Sequence, residues 1–211
     1  MYRLKKLKPK YRGEQMQYRI ITPEEYETGV WSGGTTTQLA IYPPGASYAD
    51  RNFIFRLSSA TVDTEQSEFT HLPDYDRWLM IFEGRARLVH DSEKEVTLNP
   101  YECDAFDGGI STVSFGRVTD YNLMLRKGGS GSMEAVILDE GAKEIRLLPC
   151  KKHKNSFAGV FLQGEYAQIT LCGEPLKLEN GCQLLVLFSG AEAVSLDISG
   201  SGAAVITQGM F

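Results

Sequence analysis

Long apolar runs are missing from this chain of 211 residues, since no segment approaches the ~20 apolar residues that a membrane-spanning helix needs. The N-terminal arm, residues 1–12, lacks the apolar core and the small-residue cleavage site of a signal peptide. From these two absences we expect a cytoplasmic protein with no membrane partner. The arm holds six lysines and arginines and no acidic residue. Contact with RNA or lipid headgroups is one interpretation of it, and a frayed or edge-pairing tail is the simpler one.

Closely spaced metal-binding and disulfide motifs are missing as well. The four cysteines form no Cys-x-x-Cys pair, and the three histidines form no His-x-His pair. Small β-barrels that hold a metal usually do so through grouped histidines and a carboxylate, so the sequence predicts no metal site and no cofactor. We expect the cysteines to be buried thiols and the histidines to be surface or core residues. The residues concerned are Cys103, Cys150, Cys172, Cys182, His71, His90 and His153.

Positive charge is scarce outside the arm. The net charge is −5, and residues 13–211 carry 16 lysines and arginines against 27 acidic residues, a balance of −11. This balance argues against nucleic acid as a partner.

The composition that remains favours an all-β protein. No long amphipathic helix pattern is visible, whereas 42% of the residues are hydrophobic, 21 are glycine, and pairs such as Asn99-Pro100 mark turns. The length allows one large β domain or two small ones.

Two arginines lie within strand-like sequence. In residues 53–58 apolar side chains occupy every second position, and Arg56 and Ser58 lie on the other face of the predicted strand. Arg77 directly precedes the apolar run 78–82, which predicts a buried strand and places this guanidinium at a rim.

An ordinary interpretation of both arginines stays open at this point. Arg56 would then face solvent on a one-sided sheet, and Arg77 would pair with Asp74 or Asp76.

A second polar-faced strand follows at residues 120–126, with Asp120, Asn122, Met124 and Arg126 on one face. If both polar faces line one interior, Arg56, Ser58, Asn122 and Arg126 converge on a cavity with Met124 as an adaptable wall. Arginine binds a carboxylate as a two-pronged fork, and amide and hydroxyl groups fix its orientation. The pattern therefore predicts a site for a small carboxylate.

Trp31 opens a distinctive segment in which a glycine pair and three threonines follow. The lysine and the helix that a phosphate-binding loop needs are both absent. A glycine pair after an aromatic residue suits the rim of a pocket, with Thr36 at its edge, and a plain turn entering a strand explains it equally well.

The chain has a faint internal repeat on either side of a glycine-rich stretch at residues 128–132, which we interpret as a loop or linker. Residues 81–84 are followed by a pattern that recurs 80 residues later from residue 161. We therefore predict two similar β units, residues 1–127 with the basic arm and residues 128–211.

Motifs in the first part resemble the HutD/Ves family. They are Trp31 with Gly33-Gly34, Thr36-x-Gln38-Leu39, Tyr42-Pro43-Pro44, Phe55-Arg56-Leu57-Ser58-x-Ala60, Phe69-Thr70-x-Leu72-Pro73, Arg77, Glu83-Gly84 and Asp120-x-Asn122-x-Met124-x-Arg126. The likeness covers about residues 17–127, and it departs from the family where the tryptophan motif is about two residues shorter and where Ser67-x-Phe69-Thr70 replaces Gly-x-Phe-Ser.

The resemblance implies a bicupin, with two cupin-type β-barrel or jelly-roll units in one chain. It implies no metal ligands, no established enzymatic activity and, in one branch of the family, a role in sensing or limiting histidine utilisation.

From the residues and the resemblance together we expect a metal-independent protein that binds a small carboxylate metabolite, a possible homodimer. Its ligand-binding residues would be Arg56, Ser58, Asn122, Met124 and Arg126, with Trp31, Thr36 and Arg77 around them. The alternatives are a cupin enzyme, an isomerase or dioxygenase acting on a small carboxylate, and an oligomeric interaction protein whose arginines are structural.

Overall fold

The structure is a computed structural model, and it describes residues 5–7, 15–139, 141–147, 155–190 and 193–211. These residues form β-strands and one short 3-10 turn at Pro23–Glu25, with no α-helix among them, so the all-β prediction is confirmed. None of the described residues belongs to a helix with the length and apolar character needed to cross a membrane. Most of the basic arm, Cys150 and His153 lie outside the described residues.

In chain order the strands of the described residues are β1 (Lys5–Leu7), β2 (Gln15–Ile21), β3 (Glu27–Trp31), β4 (Gly34–Tyr42), β5 (Phe55–Val62), β6 (Gln66–Glu68), β7 (Tyr75–Gly84), β8 (Ala86–His90), β9 (Lys94–Leu98), β10 (Cys103–Asp107), β11 (Thr112–Phe115), β12 (Val118–Arg126), β13 (Ser130–Ile137), β14 (Lys143–Leu147), β15 (Ser156–Leu171), β16 (Glu174–Glu179), β17 (Gln183–Ser189) and β18 (Val194–Met210).

The chain divides into two compact units. The N-terminal unit is Tyr26–Gly128, and the C-terminal unit combines Gly129–Phe211 with the described residues up to Glu25. The early strand β2 joins the second unit because it pairs with β17, Tyr18 opposite Val186.

Two antiparallel sheets make up the N-terminal unit. The larger has the strand order β10-β7-β12-β5-β4-β3, and the smaller has the order β6-β11-β8-β9. Each sheet ends in edge strands, so neither sheet is closed into a barrel by hydrogen bonds. The closed barrel that was one of the two forms expected from the sequence is therefore not formed. Between them lies a core that includes Leu79, Ile81 and Leu88, all at most 1% exposed. These side chains occur at every second position, as expected for strands with one buried face.

One sheet of eight strands makes up the C-terminal unit, with β15 and β18 paired along most of their length. Its core is aliphatic, for example Val160, Leu184 and Ile206. The interpretation of residues 128–132 as a loop is wrong in part, because β13 begins at Ser130 and pairs with the end of β18.

The 80-residue repeat has a structural counterpart. At Gly84 β7 passes so close to the neighbouring chain that an added Cβ would collide with the carbonyl oxygen of Arg117. At Gly164, 80 residues later, a Cβ would collide with the carbonyl oxygen of Ser201. Gly164 lies within a register shift of its strand pair, and Gly84 lies two residues from one, so in both places a glycine permits close approach of two backbones.

The cysteines only partly follow the prediction of buried thiols. Cys182 is buried, Cys103 is half-buried and Cys172 is exposed.

Candidate functional site

A cavity of about 580 Å³ lies in the N-terminal unit and takes its walls from both of that unit's sheets. Strands β3, β4, β5, β7 and β12 supply most of the lining, and β6, the two residues after it and Tyr48 between β4 and β5 supply the rest. The cavity is lined by seven of the eight residues that the sequence predicted, namely Trp31, Thr36, Arg56, Ser58, Arg77, Asn122 and Met124.

Strand register places two arginines on either side of a methionine. Met124 on β12 lies opposite Arg56 on β5 and opposite Arg77 on β7. Directly paired residues in adjacent strands point to the same face, and adjacent strands are about 4.8 Å apart. The two arginines therefore start on either side of Met124 and point to the same face, about 10 Å apart at their Cα atoms.

Arg56 is 7% exposed, and among the described residues the hydrogen-bond acceptors of its side chain are neutral. Its Nε donates to Gln38 Oε1 at 3.0 Å, and its Nη1 donates to Ser58 Oγ at 3.0 Å. The guanidinium lies 4.7 Å from the ring centre of Tyr48. Burial lowers the pKa of Arg56 to about 10, which still leaves it charged at neutral pH.

Arg77 lies inside the cavity and not at its rim, which corrects the sequence prediction. It is 4% exposed, and its guanidinium packs over Phe69 at 4.5 Å and near Phe106 at 5.5 Å. Its Nη2 donates to Asn122 Oδ1 at 3.2 Å, while its buried Nε has no hydrogen-bond partner among the described residues. Burial, together with the nearby charge of Arg56, lowers the pKa of this arginine to about 10, although Tyr48 and Asp120 act in the opposite direction.

Asp120 supplies a buried carboxyl group to the same cavity. It is 3% exposed, and its Oδ1 accepts a hydrogen bond of 2.6 Å from Asn122 Nδ2. Burial raises the pKa of Asp120 to about 7, although Arg77, the Ala60 amide and Asn122 act in the opposite direction. A chain of contacts thus runs from Arg77 through Asn122 to Asp120.

Arg126 lies outside the cavity, in contrast to the prediction. It is exposed, and its Nε donates to the Phe53 carbonyl at 3.1 Å while Nη2 donates to the Arg51 carbonyl at 2.8 Å and to Tyr75 Oη at 3.0 Å. The residue shares the face of Met124, but it ends the strand, where it shares the Arg51 and Phe53 carbonyls with the hydroxyl group of Tyr75. Its role is to hold the loop before β5.

The ordinary interpretation of the other two arginines is wrong. Arg56 is buried and does not face solvent, and Arg77 makes its side-chain hydrogen bond to Asn122. At the mouth of the cavity Glu27 and Glu68 are exposed to water, which screens their charge. The buried part therefore holds two cationic groups and one carboxyl group, Asp120.

Sequence reasoning assigned no role to Gln38, Asp120 and Phe69, although each lies in a quoted motif. Asp120 was placed on the correct face, and burial is what makes it important. Gln38 faces the cavity beside a β-bulge at Leu39, where the pairing of β4 with β5 shifts register. The signal that could have found it is its spacing of two from Thr36, which puts both on one face.

His90 lies in the core, which is one of the two positions, surface or core, that the sequence predicted for the histidines. It is 3% exposed, its Nε2 lies 2.9 Å from Asp104 Oδ2, and its Nδ1 lies 2.9 Å from Thr112 Oγ1. Within the described ranges, no group of three histidine, cysteine or acidic side chains is placed to hold a metal ion.

Solved structures with the same fold come from several bacteria. A conserved protein of unknown function from Pseudomonas aeruginosa matches with a TM-score of 0.74 and 20% identity, over 92% of this chain and 97% of that chain. HutD from Pseudomonas fluorescens matches with a TM-score of 0.69 and 20% identity, over 92% and 98%. The bacterial pirin YhhW from Escherichia coli, in complex with nickel(II), matches with a TM-score of 0.60 and 11% identity, over 92% and 98%. No curated protein matches the sequence significantly.

Fold and site together define an all-β protein of cupin-like fold whose N-terminal unit encloses two buried arginines in one cavity. The HutD family profile matches residues 23–206, most of the chain. The protein therefore belongs to the HutD family, as its motifs indicated.

Proposed function

We propose that this protein binds a small carboxylate metabolite in the cavity of its N-terminal unit, without a metal. The carboxylate would lie between Arg56 and Arg77 over Met124, with Ser58 and Asn122 orienting it and Trp31 and Thr36 at the edge. This assignment exchanges Arg126 for Arg77 as the second anion-binding arginine. Arginine suits this task because its planar fork matches a carboxylate and its charge persists when it is buried.

The observation that carries the proposal is the excess of buried positive charge. Two buried arginines share the cavity with a single buried carboxyl group, and within the part of the chain that the structure describes Nε of Arg77 has no hydrogen-bond partner. A buried charge without a counter-charge costs several kcal/mol unless something compensates it. A bound anion is the natural compensation.

Membership of the HutD family supports a HutD-type role, and we propose that the protein senses or limits histidine utilisation in the cytoplasm. HutD from Pseudomonas fluorescens was solved in a formate condition. Urocanate and simple carboxylates from formate upward are therefore the first compounds to test. We also propose a bicupin architecture, supported by the cupin-like fold of the whole chain and by the matching close approaches at Gly84 and Gly164.

A melting-temperature screen tests carboxylate binding. A ligand at a hundredfold excess over its Kd adds about 2.7 kcal/mol to the free energy of unfolding, so the melting temperature should rise by several degrees. We expect Arg56→Gln to abolish this rise without lowering the stability of the free protein, because the variant removes a buried charge.

The matched control is Arg87→Gln. Arg87 also lies on a strand and packs over an aromatic ring, Phe115, at 4.2 Å, but it is only half-buried and pairs with Glu95. We expect this variant to keep the full ligand response. Equal responses in Arg56→Gln, Arg77→Gln and the native protein would show that the arginines do not bind the ligand.

Asp120 gives one observation in favour of the alternative, an enzyme. A buried carboxyl group whose pKa is raised to about 7 has the proton affinity of a general acid or base. An isomerase of this kind would exchange carbon-bound hydrogen of a carboxylate with solvent. Incubation of each binding carboxylate in D2O, followed by NMR, should show no deuterium uptake if the protein only binds.

A further inference from the structure

The cavity has two different ends along strand β12. Met124, between the two arginines, and Asn122 are two residues apart, which is about 7 Å along a strand, and Asp120 follows at the same interval. A carboxylate held between the arginines lies beside Asn122, to which Arg77 Nη2 donates, and Asp120 is the next residue on the same face of the strand. A ligand that carries a second carboxylate, displaced along β12, would bring it beside the buried Asp120.

The charge count of the cavity then depends on Asp120. With Asp120 ionised, the two arginines leave one net positive charge, which one carboxylate neutralises. With Asp120 protonated, they leave two, which a dicarboxylate neutralises. A protonated Asp120 also gains an O–H donor that can bond to the incoming carboxylate, whereas an ionised Asp120 would repel it.

We propose that Asp120 sets the charge of the accepted ligand, so that a dicarboxylate binds together with one proton on Asp120 and a monocarboxylate binds without one. The inference rests on the proposed carboxylate site. The proton comes from solvent and stays on an Asp120 carboxyl oxygen while the dicarboxylate is bound. Asn122 connects the anion-binding arginine to the titrating carboxyl group, because its Oδ1 accepts a hydrogen bond from Arg77 and its Nδ2 donates one to Asp120.

Other titratable groups around Asp120 are accounted for by their contacts. Glu27 and Glu68 are exposed at the mouth, and His90 is hydrogen-bonded to Asp104 outside the cavity lining. The titratable side chains that line the cavity with Asp120 are Glu27, Tyr48, Arg56, Glu68 and Arg77. Asp120 is the buried carboxyl group among them, and burial raises its pKa to about 7, so it can change its protonation near neutral pH.

Calorimetry with two matched probes tests the inference on the full-length protein. Glutarate and its monomethyl ester share one carbon skeleton and differ by one charge. Titrations at pH 8 in two buffers of different ionisation enthalpy give the number of protons taken up. We expect close to one proton per bound glutarate and close to none per bound monomethyl ester.

The affinity for glutarate should fall about fifteenfold between pH 7 and pH 8.5, because a smaller fraction of the protein is then protonated and competent. Asp120→Asn should remove this dependence and bind glutarate about tenfold more tightly than the native protein at pH 8. Glu68→Gln, which removes an exposed carboxylate at the mouth, should keep both the proton uptake and the pH dependence.

The outcomes separate the two proposals. Glutarate binding without proton uptake, or with an unchanged pH dependence in Asp120→Asn, would overturn the role of Asp120 and leave the carboxylate site standing. Failure of every carboxylate tried, these two probes included, to bind the native protein between pH 6 and pH 8.5 would overturn the site and this inference together. If Asp120→Asn does not fold, the proton count on the native protein still decides.

Discussion

Asp120 should leave a signature in the stability of the free protein. Burial raises the pKa of Asp120 from its ordinary value of 3.8 to about 7, so between these values the folded state holds a proton that the unfolded state has lost. The contribution of Asp120 to the free energy of unfolding is therefore largest at low pH and declines as the pH rises from about 4 to about 7.

The measurement is the difference in melting temperature between Asp120→Asn and the native protein across this range. Asparagine resembles the neutral form, so we expect the difference to move in favour of the variant from pH 4 to pH 7 and then to level off. Taking the difference cancels the titration of all other groups. A constant difference would mean that Asp120 ionises in the folded protein as it does in the unfolded chain.

Individual residues also show where sequence alternation stops being informative. Alternation correctly placed Arg56, Met124 and Arg126 on inward-facing positions, because the side-chain period of a strand is two. It gives the face and not the depth along the strand, so Arg126 was expected in the cavity although it lies at the strand end. The rim position expected for Arg77 failed for the same reason, since Phe69, which covers it, follows β6 in the other sheet.

At the scale of elements, a glycine substitution can test whether the close approach of two strands at Gly84 contributes to stability. Gly84 and Gly45 have nearly equal positive φ angles, 83° and 89°, so replacement by alanine strains both backbones alike. Only at Gly84 would the new Cβ collide with a carbonyl oxygen, while the Cβ at Gly45 would have no atom within 4 Å.

We therefore expect Gly84→Ala to lower the free energy of unfolding by clearly more than Gly45→Ala. The backbone strain common to both is of the order of 1 kcal/mol, and the collision adds to it at Gly84 alone. Urea denaturation of the two variants measures the difference. Equal losses would show that the strands at Gly84 separate easily, and the same comparison can then be made at Gly164.

Strands with strong period-two patterns were predictable as elements, and β5, β7 and β12 lie where the sequence placed them. The glycine-rich stretch was predicted to be a loop because its composition favours a flexible chain. In the structure Ser130 and the next residues form a strand because they pair with β18. The bulge at Leu39 has no sequence signature that we recognise.

At the scale of the whole molecule, the first residues complete the second unit. Tyr18 on β2 is 6% exposed and belongs to the core of the C-terminal unit, although the chain between β2 and β17 contains the entire N-terminal unit. Pairing between such distant segments cannot be predicted from local patterns, which is why the first residues were expected to belong with the N-terminal unit.

Tyr18→Ala should therefore destabilise the C-terminal unit by about 3 to 5 kcal/mol, the usual cost of removing a large buried ring. Both tryptophans, Trp31 and Trp78, belong to the N-terminal unit, so their fluorescence reports on that unit. We expect the variant to shift the urea transition seen by circular dichroism and to keep the carboxylate response seen by tryptophan fluorescence. Loss of that response would show that the cavity depends on Tyr18.

The register shift at Leu39 limits which insertions and deletions in β4 are compatible with the cavity during evolution. Before it, Thr36 and Gln38 face the cavity, and after it the inward position passes to Ile41, opposite Arg56. Away from the bulge, losing or gaining a single residue in β4 would turn one half of the strand inside out, whereas a change of two residues would preserve both halves. Loss of Leu39 itself would restore plain alternation and keep Gln38 and Ile41 on the inward face. Lineages that keep this cavity should therefore inherit single-residue changes in β4 only at the bulge.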